Sequence, residues 1–78
     1  MANSQKMNLE NRNLQHIPLL EGEEKVRYLG LQNNLITKVE NLVSLPNLHF
    51  LDLSQNKLAE MTNFKGVVNL RVLILSKN

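Results

Sequence analysis

The chain has 78 residues, 42% of them apolar, which allows one small domain with a packed core and argues against disorder. Nine Lys and Arg against seven Asp and Glu leave a net charge of +2, dispersed from Lys6 to Lys77, too weak a surplus for a nucleic-acid footprint. Cysteine is absent, so disulfides, thiolate metal sites and a cysteine nucleophile are excluded.

No stretch nears the roughly 18 apolar residues of a membrane span. The opening run, Met1 to Lys6, lacks the apolar core of a secretory signal, and no Asn stands two residues before Ser or Thr. Neither membrane attachment nor export is expected.

Sixteen leucines and twelve asparagines dominate the composition, beside one Tyr and two Phe. The leucines recur with a period of 22: Leu29, Leu51 and Leu73, then Leu31, Leu53 and Leu75. Asn34, Asn56 and Asn78 keep the same step. Such a period marks stacked repeats, each too small to bury its apolar side alone.

In chain order, residues 1 to 25 form an irregular first unit. Met7 and Leu9 keep the register, but Ser4, Arg12 and Glu23 stand where later units have apolar residues or asparagine. Polar residues there suit an N-terminal capping repeat, and a decayed repeat fits them as well. Residues 26 to 47 open with Val26-Arg-Tyr-Leu-Gly-Leu-Gln-Asn-Asn34 and residues 48 to 69 with Leu48-His-Phe-Leu-Asp-Leu-Ser-Gln-Asn56. Alternating leucines predict a short strand with one buried face. Ile36, Val39, Leu42 and Leu45, and then Leu58, Met61, Phe64 and Val67, follow at every third position. That spacing predicts short 3-10 or extended turns, since an α-helix would use the fourth position too. Residues 70 to 78, Leu70-Arg-Val-Leu-Ile-Leu-Ser-Lys-Asn78, start a further unit with no polar cap after it. A truncated repeat of an incomplete domain is expected, with Val72 to Leu75 as an open edge prone to self-association.

The L-x-x-L-x-L-x-x-N units resemble the 22-residue class of leucine-rich repeats. The resemblance implies an α/β solenoid, with a curved parallel β-sheet on its concave face and short turns on its convex side. Asn34, Asn56 and Asn78 are then structural, each amide bonding backbone groups where the chain leaves the strand. This class includes regulators of protein phosphatase one, a spliceosomal ribonucleoprotein subunit, and ciliary and dynein-associated proteins. Over residues 7 to 78, the run Met7-Asn-Leu-Glu-Asn-Arg-Asn-Leu14, then Gly22-Glu23 and the stretch 70 to 78, is similar to the leucine-rich-repeat subunit of the tubulin polyglutamylase complex. The similarity implies a scaffold in the cytoplasm, cytoskeleton or cilium, with tubulin-modifying subunits as partners. A phosphatase-regulator or ribonucleoprotein-associated role is the alternative.

Residues alternating with the buried leucines should face the concavity. One column is Lys6, Tyr28, Phe50 and Val72; the next is Asn8, Gly30, Asp52 and Ile74; a third is Glu10, Gln32, Ser54 and Ser76. Tyr28, Phe50, Val72 and Ile74 would make an apolar strip, either a protein-binding surface or simple cross-strand packing. Arg27, His49 and Arg71, after Gln5, form a column at the start of the strands. With Asp52 they would rim the strip and hold a carboxylate or phosphate, or else form a solvated edge.

Catalysis is not expected. His16 and His49 sit at unrelated offsets, Ser54 has no base at a matching position, and Gly22, Gly30 and Gly66 are isolated, so neither a triad nor a phosphate loop is assembled. No cofactor or metal is implied, because no ligands cluster.

Overall fold

A computed structural model describes residues 5–59, 64, 67 and 69–78. Met1 to Ser4, Met61 and Gly66, which entered the expectations above, lie outside these residues.

Four strands form one parallel sheet in sequence order: β1 (Lys6–Asn8), β2 (Tyr28–Gly30), β3 (Phe50–Asp52) and β4 (Val72–Ile74). Their register places Lys6, Tyr28, Phe50 and Val72 side by side, then Met7, Leu29, Leu51 and Leu73, then Asn8, Gly30, Asp52 and Ile74. A step of 22 residues returns each chain segment to its neighbour without slippage. Because side chains alternate across a strand, that register sends every central leucine to one face.

This face is the core. Leu29, Leu31, Leu48, Leu51 and Leu53 have no exposed surface, and Ile36, Val39, Leu42 and Leu45 close over them from the crossover. Each such side chain contributes about 1.5–3 kcal/mol by leaving water. Burial fades at both ends: Met7 and Leu9 on one side, and Leu70, Leu73 and Leu75 on the other, are only partly covered.

Among the described residues there is no α-helix, and the one 3-10 helix spans Leu42–Ser44. The α/β class is therefore met in its parallel sheet but not in its helices. Three strand residues leave 19 of each 22 for the crossover, and apolar residues at every third position bury only along an extended or 3-10 path.

Asparagine supplies what the crossover cannot. Asn34 Oδ1 accepts from the backbone N–H groups of Arg12 and Leu14, both at 3.0 Å, while its Nδ2 donates to the carbonyls of Leu9 and Leu31. Asn56 repeats this with the Ile36 N–H and the carbonyls of Leu31 and Leu53. Asn78 does so with the Leu58 N–H and the carbonyls of Leu53 and Leu75. A second series closes the far corner: Asn47 Nδ2 donates to the Glu24 carbonyl at 2.7 Å and Asn69 Nδ2 to the Pro46 carbonyl at 2.8 Å. Asn41 likewise donates to the Ile17 carbonyl at 2.7 Å.

Candidate partner-binding face

One sheet face packs on the core; the other is open and carries the even-numbered strand residues. Along its first column the rings of Tyr28 and Phe50 stack, with centroids 4.7 Å apart and planes 21° from parallel. Parallel pairing alone brings their backbones to that spacing. Lys6 Nζ lies 4.8 Å from the Tyr28 ring centre, a cation over a π face, and Val72 extends the row as an exposed side chain. The result is one row of cation, ring, ring and methyls across four strands.

Gly30 interrupts the second column. A Cβ there would lie 3.0 Å from Gln32 Oε1, 3.2 Å from Asn8 Oδ1 and 3.3 Å from the Tyr28 ring. The missing side chain therefore lets these three groups converge and cover the backbone. Asp52 turns to its own chain, its Oδ1 accepting from the Ser54 N–H at 3.0 Å and the Ser54 hydroxyl at 2.7 Å. Both contacts of Oδ1 are to Ser54, two residues along the chain. Ile74 is partly buried at the end of the column.

The third column is polar and incompletely satisfied. Glu10 Oε1 and Gln32 Oε1 are shut away from solvent, and neither has a hydrogen-bond partner among the described residues. Buried acceptors without donors cost free energy, about 1–3 kcal/mol each.

Where the strands begin, Arg27, His49 and Arg71 align. Arg27 N–H donates to the Gln5 carbonyl, His49 N–H to that of Arg27 and Arg71 N–H to that of His49, at 2.7–2.8 Å. Both arginines are exposed, and neither joins the two ion pairs found among the described residues, His16–Glu40 and Lys38–Glu40. Beside them a cleft of ≈ 390 Å³ is lined by Gln5, Lys25, Arg27 and Asn47. A second cleft, ≈ 360 Å³, lies beyond the asparagine series and is lined by Gln15, His16, Leu35, Thr37 and Lys57.

Sequence reasoning missed several of these features. The Asn47–Asn69 series was legible as another 22-residue step. Nothing in one sequence signalled that the Glu10 and Gln32 oxygens would lack donors, or that Asp52 would bond Ser54. Among the described residues no three His, Asp or Glu side chains are grouped to hold a metal ion, and no helix is long and apolar enough to cross a membrane.

Comparison with known proteins agrees with the architecture. A family model described as Leucine Rich repeats (2 copies) matches residues 24–66, more than half of the chain. No curated protein and no solved structure matches. With the repeat, the parallel sheet and the matched segment in agreement, the chain belongs to the leucine-rich-repeat family.

Proposed function

We propose that the chain is a non-enzymatic scaffold that seats a protein partner on the open face of its sheet. Leucine-rich repeats generally mediate protein–protein interaction and are typically non-catalytic. In this reading the open face is the concave side of a curved solenoid, residues 1–25 cap it, and 26–47, 48–69 and 70–78 are its successive units. Tyr28, Phe50, Val72 and Ile74 form the contact strip, with Arg27, His49, Arg71 and Asp52 at its margins.

The observation that carries the proposal is the Tyr28–Phe50 stack. Two large rings, each half-buried, stack on the sheet face opposite the core, and aromatic anchors of this kind dominate protein interfaces. Similarity to the polyglutamylase subunit suggests a tubulin-modifying complex as the setting, in the cytoplasm, cytoskeleton or cilium.

Affinity capture from ciliated cells, using the chain beside a Phe50→Asp variant, tests the reading. Recovery of tubulin-modifying subunits by the native form alone supports both the face and the setting. Phosphatase or splicing components in their place keep the scaffold and overturn the cytoskeletal assignment. Equal recovery by both forms sinks the face. Circular dichroism provides the folding control: if Phe50→Asp unfolds the chain, Phe50 is core and the contact strip is lost.

A further inference from the structure

The two edges of the sheet are unlike. The carbonyls of Gly30, Asp52 and Ile74 each face the preceding strand, where they accept the N–H groups of Leu9, Leu31 and Leu53, all at 2.8 Å. Asn8 holds the same register position on β1, so its carbonyl faces away from β2. There Arg12 Nη2 donates to it at 3.5 Å, laying a guanidinium on the acceptor that a further strand would use. Arg12 stands in the place that Asn34, Asn56 and Asn78 hold in the later units.

The β4 edge has no such guard. Leu75 N–H is the counterpart of the Leu31 and Leu53 donors, Lys77 N–H that of the Asn33 and Gln55 donors, and the Arg71 carbonyl that of the Arg27 and His49 acceptors. All three lack a partner among the described residues. Alternate residues of a strand turn their backbone groups to the same side, so those of Leu73 join them. Leu73 and Leu75 are only partly covered, and no charge stands from Val72 to Leu75. A free, uncharged edge beside half-covered leucines is a template for another strand.

We infer that a second copy of this chain fills that edge, antiparallel, about a two-fold axis at Leu73. Such a contact uses one surface twice and closes at two copies. It needs only β4. Head-to-tail pairing would instead send Leu75 N–H to the Asn8 carbonyl of the next copy, which Arg12 holds. At the axis Leu73 exchanges both N–H···O bonds with Leu73 of the second copy, and the two half-covered side chains meet on the core side. Val72 then lies opposite Ile74 of the second copy, on the open face. Sliding to set Leu73 opposite Leu75 would bring Arg71 opposite Lys77, and like charges directly opposite destabilise a pair. Two four-stranded sheets thereby become one. The contact leaves out β2 and β3, which carry the Tyr28–Phe50 stack, so it stands or falls apart from partner docking.

Sedimentation equilibrium of the 78-residue chain should carry the average mass from 9.0 kDa toward twice that value and no further. The chain has no cysteine, so disulfide trapping reads the geometry cleanly. Val72→Cys and Ile74→Cys chains, mixed under oxidation, should form the mixed disulfide, which mass spectrometry separates from either homodimer. Opposite residues of a non-hydrogen-bonded pair bring their Cα atoms to about 4.5 Å, within disulfide reach. Lys6→Cys mixed with Val72→Cys, the head-to-tail neighbours, should form almost none. Arg12→Ala frees the Asn8 carbonyl and should let assembly run past two copies. Far-UV circular dichroism checks that the variants fold, and the mass of the native chain tests the inference without any substitution.

A monomer at every concentration, a native series that grows beyond two copies, or a preferred Lys6→Cys to Val72→Cys disulfide overturns the two-fold contact. An Arg12→Ala chain that still stops at two overturns the part given to Arg12.

Discussion

Asn56 holds Leu31: its Nδ2 donates to the Leu31 carbonyl, 25 residues earlier in the chain, at 2.9 Å. The same amide binds the Leu53 carbonyl, and its Oδ1 accepts the Ile36 N–H at 3.0 Å. One side chain thus ties two units together at the point where both leave the sheet. Asn56 is itself buried, so water cannot replace it.

Asn56→Ala is accordingly expected to cost about 2–4 kcal/mol, since it strands several buried backbone groups. A domain of this size has only about 3–5 kcal/mol in all, so the variant should be largely unfolded. Asn78→Ala, at the exposed end of the series, should cost about 1 kcal/mol. Urea titration followed by circular dichroism ranks the two. Equal costs would mean that the amide does not act through buried backbone groups.

The residue preceding each of these asparagines has a positive φ: Asn33 at 59°, Gln55 at 55° and Lys77 at 61°, with Asn11 at 59° in the first unit. Asparagine tolerates that left-handed geometry, whereas longer side chains are strained by about 1–2 kcal/mol. Gln55→Asn should therefore stabilise the fold by about 0.5 kcal/mol, and Asn33→Ala should destabilise it by about 1 kcal/mol. Thermal melts of the two variants should shift in opposite directions.

Leu29, Leu51 and Leu73 share one column but not one environment. Leu51 is fully buried between neighbouring strands, while Leu73 is only partly covered. Leu51→Ala should cost about 2–5 kcal/mol. Leu73→Ala should cost about 1 kcal/mol, because less surface returns to water. Similar losses would show that the end of the sheet is as well packed as its middle.

β4 pairs on one side only within the described sheet, and Val72 is 43% exposed. An open parallel edge without charge from Val72 to Leu75 invites pairing with another chain. Sedimentation velocity should show concentration-dependent association of the 78-residue chain, and Val72→Lys should weaken it. A monomer at every concentration would refute the expectation.

The period of 22 was enough to place Tyr28 beside Phe50, Leu29 beside Leu51 and Asn34 one step from Asn56. A parallel sheet of stacked repeats has no freedom to pair otherwise without exposing its leucines. Helix content was less legible, because a crossover of every-third apolar residues fits both a 3-10 path and an extended one. The backbone bonds of Asn34, Asn56 and Asn78 were legible from their place after the strand, but side-chain partnerships on the open face were not. Whether Tyr28 stacks on Phe50 or tilts away depends on Gly30 leaving space and on Lys6 capping the ring. Whether Asp52 faces a ligand or Ser54 depends on local rotamers. Periodicity determines backbone position, one repeat at a time; only the packed neighbours on the open face decide where each polar atom finds, or fails to find, its partner.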